Sequence, residues 1–188
     1  MNKKNKKKAR TEPVKYRFLT QKEDLMTPEL IKEMRKHPYG SQHHKKIEDV
    51  ECFAAFCLGT LTWYILEGVP WGKNDYLMWC IMIQPNDVIE MDITASYLNN
   101  LEIKAEGYPI VHVVGPDIDF KPCKLSEIKD DPKLQKYIAE RIEYREQHPD
   151  DYEEIEPMPE GWYPDLWDNK EKAESMPQKL AGFFDVII

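Results

Sequence analysis

The stretch Cys52–Gly68, CFAAFCLGTLTWYILEG, decides how this chain folds. It reads as two apolar strands joined by a tight turn at Leu58-Gly59-Thr60. The second strand carries Thr62-Trp63-Tyr64 and ends at Glu67-Gly68. Aromatic and β-branched residues suit a pleated, buried surface, and glycine tolerates the backbone of a tight hairpin turn. Outward from this hairpin the same pattern recurs. Val50–Cys57, Leu61–Leu66, Tyr76–Ile83 and Val88–Ile93 are apolar runs bounded by Gly, Pro, Asn and Asp. Their short spacing predicts an antiparallel meander.

Helices are expected on either side. Thr27-Pro28-Glu29 combines an N-cap, a proline at the first helical position and an acid in the first turn. Leu30, Ile31 and Met34 give the apolar face, and the helix ends near Lys36, before Pro38. Asp131-Pro132 opens a longer helix to Gln147, with Leu134, Tyr137, Ile138 and Ile142 as its stripe. Thr94–Ile103 is read as a short helix, Pro109–Val114 and Ile118–Phe120 as a further strand broken at Gly115-Pro116, and His37–Lys46 as a polar, flexible loop. The fold class is therefore α+β: an antiparallel sheet of four to six strands flanked by two or three helices. Residues 1–13 are expected to be a disordered basic arm, 14–130 the core domain, and 131–188 a helix plus an acidic, Pro- and Trp-rich extension packing on it. The apolar end, Gly182–Ile188, is expected to dock as an edge strand.

The chain has 188 residues and a net charge of −8, unevenly placed. Residues 1–10 hold five lysines and one arginine, which leaves −14 for the rest. An acidic body repels phosphate, so nucleic-acid binding is not expected except through the basic arm. No apolar run reaches the roughly 20 residues of a membrane span, and no apolar segment follows the basic start. A soluble, cytoplasmic protein without a membrane partner is expected. Cys52, Cys57, Cys80 and Cys123 lack a paired-motif spacing and read as reduced, buried thiols.

Few residues suggest chemistry. Glu90 and Asp92 share a strand face, as do Asp117 and Asp119 if that segment is extended. Should the pairs meet, oxygen ligands for Mg²⁺ or Ca²⁺, or a hydrolytic carboxylate pair, would result; the plainer expectation is a solvated strand face. His37, His43 and His44 lie in one loop, but with no common zinc spacing. The glycines form no phosphate-cradling loop and no serine sits in a nucleophile elbow. No catalytic residue and no cofactor is expected. Of the adjacent Trp63 and Tyr64, one should face inward and the other outward as a contact, with Glu67 beside them. Trp162, Tyr163 and Trp167 mark the acidic extension as a wrap or a binding segment.

Three ordered motifs carry a family resemblance. Leu25-Met26-Thr27-Pro28-Glu29-Leu30 is similar to an opening helix, Thr62-Trp63-Tyr64-Ile65-Leu66-Glu67-Gly68 to a central strand, and Asp117–Ile128, with Phe120-Lys121-Pro122 before Leu125-Ser126-Glu127, to a closing segment. Residues 18–128 thus resemble the bacterial family called domain of unknown function 2958. Gly115-Pro116-Asp117 replaces that family's Glu-Arg-Asp, and Val88–Ile93 with Thr94–Leu98 departs from its Gly-Tyr-Phe step, so no role is transferred there. The resemblance implies an accessory protein of a mobile element, without a reaction. A non-enzymatic protein that binds an unidentified protein partner is the resulting expectation. The alternatives are a divalent-metal-dependent hydrolase using the strand carboxylates, and an acidic nucleic-acid mimic inhibiting a host defence protein.

Overall fold

The computed structural model describes residues 24–104, 111–149 and 166–176. The basic arm, the apolar C-terminus, Trp162 and Tyr163 lie outside these residues. Helix α1 (Pro28–Met34) begins where the Thr27 side chain accepts the Leu30 N–H at 3.2 Å, with proline in the first turn. The strands β1 (Glu51–Cys52), β2 (Ala54–Leu58), β3 (Leu61–Trp71), β4 (Asp75–Ile83) and β5 (Val88–Thr94) follow. Gly59, at φ 60°, closes the β2–β3 turn, a backbone that a Cβ would strain. Helix α2 (Ala95–Asn100) is capped by Thr94. It is shorter than expected because Leu101 already leads into β6 (Glu102–Lys104), which pairs with β7 (Val111–Val113). Then come β8 (Gly115–Pro116), β9 (Cys123–Lys124), α3 (Pro132–Gln147) and α4 (Lys170–Ser175). Asp131 caps α3 by accepting the Lys133 and Leu134 N–H groups, each at 3.0 Å. The expected strand at Ile118–Phe120 is a turn instead: Asp117 Oδ1 takes the Asp119 N–H at 3.1 Å, and its carbonyl takes that of Phe120.

The architecture is α+β. One five-stranded antiparallel sheet has the order β5-β4-β3-β2-β8. Helices cover both of its faces. On one face Phe56, Trp63, Ile65, Met78, Cys80, Met82 and Ile93 pack with Met34 of α1 and Leu98 of α2. On the other, Ala55, Tyr64, Leu66, Ile81 and Ile83 pack with Leu134 and Ile138 of α3. Farther along that second face, Val69, Trp71 and Leu77 meet Leu166 and Ala173, the α4 segment. Two covered faces remove the expected inward–outward split at Trp63 and Tyr64. They are 1% and 7% exposed, so both are core residues and neither is a surface contact. No helix among the described residues is long and apolar enough to cross a membrane.

A bulge in β3 sets up the site. Ile65 pairs with Cys80, but the next pair is Glu67 with Trp79, so Leu66 is an extra residue. A single inserted residue reverses the alternation of side chains beyond it. Glu67, which would otherwise share the face of Ile65, is turned to the side of α3 and α4. Past the bulge, β3 also outruns β2, whose pairing stops at Ala54–Ile65. The outer edge of β3 is filled differently there. The Gly68 N–H donates to the His37 carbonyl at 3.0 Å, and the Trp167 indole N–H donates to the Gly68 carbonyl at 3.1 Å.

Candidate functional site

Glu67, Trp79 and Asp92 form one row across β3, β4 and β5, because Glu67 pairs with Trp79 and Trp79 with Asp92. Trp79 packs against both the α3 cluster and the α4 cluster, so the row lies in the seam between them. The loop His37–Lys46 closes over this seam.

Glu67 is 0% exposed. A buried carboxylate requires donors, and the loop supplies them: the Gly40 N–H at 2.6 Å to Oε2 and the Gln42 N–H to Oε1. Gly40 has φ 86°, which lets the loop turn its N–H groups toward the carboxylate. The Gln42 side chain completes the anchorage. Its amide donates to the Leu66 carbonyl at 2.6 Å and the Glu51 carbonyl at 3.0 Å, and its oxygen accepts the Glu51 N–H at 2.8 Å. The loop expected to be flexible is therefore tied to the sheet. Its partners on β3 are 24 to 27 residues away in sequence, beyond the reach of a local reading.

Two aromatic side chains of the loop extend the site. The His43 ring stands edge-on to Trp79, with centroids 4.5 Å apart, and to Tyr39 at 5.4 Å. Its Nε2 lies 3.2 Å from Glu67 Oε2 but off the line of a directed hydrogen bond, so the contact acts chiefly as an ion pair when the ring is protonated. Close contact with the Glu67 carboxylate raises the His43 pKa above its ordinary 6.5; burial opposes the rise, and the charges of Glu67, Asp92 and Glu90 reinforce it. The Tyr39 hydroxyl donates to Asp92 Oδ1 at 2.8 Å. Burial pushes the Asp92 carboxyl above the usual carboxylate range, against the Tyr39 hydrogen bond and the His43 charge. Glu90, two residues earlier on the same face, accepts the Tyr137 hydroxyl and the Arg141 guanidinium, the latter at 3.3 Å. The result is an aromatic and acidic patch in which Tyr39 is buried and His43, Trp79, Glu90 and Asp92 are half-buried, and whose members hold one another in place.

The residues expected to matter are distributed unevenly. Glu67, Glu90 and Asp92 gather on this face. Asp117 and Asp119 follow β8, at the opposite edge of the sheet from β5. Four strand spacings separate those edges, about 19 Å, so the two carboxylate pairs do not converge on one ion. Among the described residues no group of His, Cys, Asp or Glu is arranged to hold a metal. Trp167 is a half-buried brace on Gly68, also packed near Tyr76 at 6.1 Å. None of the four cysteines is in a disulfide; Cys52 and Cys80 are buried, and Cys57 and Cys123 are half-buried. Tyr39 and Gln42 were not singled out from sequence, and His43 was read only as a possible metal ligand. One signal pointed to them: Glu67 is the sole charged residue in Leu61–Trp71, and a lone acid in a long apolar strand predicts donors from elsewhere.

Compared with known proteins, the chain matches no protein-family model, no curated protein and no solved structure.

Proposed function

We propose that this chain is a non-enzymatic accessory protein that acts by binding another protein through the patch of Tyr39, His43, Trp79, Glu90 and Asp92. One observation carries the reading. The patch is pre-organised: buried Glu67 fixes the loop, Tyr39 fixes Asp92, and Tyr137 and Arg141 fix Glu90. A rigid aromatic surface, here the half-buried His43 and Trp79 backed by buried Tyr39, loses little conformational entropy on binding, and aromatic side chains are enriched at interfaces. The resemblance of residues 18–128 to a family typical of mobile elements supports an accessory role in such an element.

A second reading draws on the Glu67–His43 contact. A buried carboxylate held by two backbone N–H groups beside an imidazole, 3.2 Å from its Nε2, can also orient a general base, which here would act through His43 Nδ1. The experiment for both is affinity capture with the tagged full-length chain and its W79A and H43Q variants, with melting curves to verify folding. A partner bound by the wild type and lost from a folded W79A protein is the expected result. The same partners on all three proteins would contradict the patch, and a turnover abolished by H43Q would favour the second reading.

A further inference from the structure

Glu90 and Asp92 of the patch also stand on β5, the outermost strand on one side of the sheet. The Gln84 N–H donates to the Asp87 carbonyl at 3.0 Å, which closes the β4–β5 turn. Antiparallel pairs alternate between hydrogen-bonded and non-bonded. Counting from that turn, Ile89, Met91 and Ile93 bond back to β4, and the backbone groups of Val88, Glu90, Asp92 and Thr94 point away from the sheet. The ends of this edge are already closed. The Val88 N–H donates to the Asp87 carboxylate at 2.8 Å, and Thr94 is the N-cap of α2. Between them the N–H and C=O groups of Glu90 and Asp92 face outward, and among the described residues no strand lies beyond them. The contrast with β3 is direct, because the overhanging edge at Gly68 is filled by His37 and Trp167.

The side chains beside this window specify its occupant. Ile89 and Met91 are half-buried on the α1–α2 side, and Glu90 and Asp92 stand on the α3 side. A second copy does not suit. Any two-fold register centred on Glu90, Met91 or Asp92 sets acid against acid, and like charges directly opposite destabilise a strand pair. Glu90 already accepts a guanidinium from Arg141, and the chain beyond residue 10 carries −14, which draws basic partners.

We propose that the β5 edge receives an extended segment of a partner protein in which Lys or Arg alternates with apolar residues. The backbone of that segment pairs with Glu90 and Asp92, its cations lie over their carboxylates, and its apolar side chains continue the row of Ile89 and Met91. This inference rests on the interaction reading above. The test titrates the isotope-labelled full-length chain with the peptide Val-Lys-Val-Lys-Val-Lys-Val, its Val-Glu counterpart, and two N-methylated forms of the Val-Lys peptide that block alternate sets of N–H groups. Shifted and more slowly exchanging amides at Glu90 and Asp92 are expected. One N-methylated form should bind about ten-fold more weakly or worse and the other should be nearly unaffected, since a lost hydrogen bond is worth up to roughly a factor of ten. Equal effects of the two forms, equal binding of the Val-Glu peptide, perturbations confined to other strands, or no binding would each overturn the proposal. A partner captured through Trp79 that leaves the Glu90 and Asp92 amides unchanged would overturn the edge while sparing the interaction reading.

Discussion

Two connecting segments of this protein, residues 37–46 and 117–121, behave differently in the fold. The first sends its backbone N–H groups and the Gln42 side chain into buried partners on β3. The second donates the Asp117 N–H to the Ala55 carbonyl of β2 at 2.8 Å, turns on the Asp117 side chain and leaves Ile118 75% exposed. What separates them is a buried charge: the Glu67 carboxylate lies under one segment, and among the described residues no buried charged side chain lies under the other. A polar loop becomes part of the scaffold when the sheet beneath it holds a charge that the loop must satisfy.

The contrast is broken most severely at Glu67. Glu67→Ala leaves the Gly40 and Gln42 N–H groups buried without an acceptor, an expected loss of about 3 kcal/mol. Thermal unfolding should fall by about 10 °C for a chain of this size. Gln42→Ala removes four hydrogen bonds and should cost about 2 kcal/mol, measured by denaturant titration.

His43 sharpens the comparison through pH. Its folded pKa is raised, so the folded state binds the proton more tightly than the unfolded state does. The stabilisation is fully present below the unfolded value near 6.5 and is lost as pH rises through the higher folded value. His37, whose pKa burial lowers, acts in the opposite sense. It is common to wild type and His43→Gln, so the difference between those two proteins isolates His43. That difference should be about 1 kcal/mol in acid and should shrink as the solution becomes alkaline, read from urea midpoints across pH. The smallest effect belongs to the other segment. Ile118→Ser should change stability by less than about 0.5 kcal/mol.

The parts of this fold that are legible in sequence are those decided locally. Thr27-Pro28 and Asp131-Pro132 start helices because a cap and a proline act within one turn. The strands of the meander are visible for the same reason, since alternation and turn residues are neighbours in the chain. The site is hidden because it depends on distant pairing. Leu66 is a bulge only in relation to β4, and without that register Glu67 is assigned to the wrong face. Trp63 and Tyr64 were expected to divide between core and solvent, which holds for a sheet covered on one side. Tyr64 instead donates to Asp131 Oδ2 at 3.0 Å under α3, and burial together with that aspartate raises its pKa far above the ordinary range.

The central claim is that the loop over residues 37–46 is part of the rigid sheet and that Glu67 makes it so. Native-state hydrogen exchange at the Gly40 and Gln42 amides tests this most directly. The account predicts protection approaching that of the β3–β4 ladder in the wild type, and its loss in Glu67→Ala under conditions where the ladder stays protected. Exchange of those two amides at the rate of an open loop in the wild type, like that of Ile118, would contradict it.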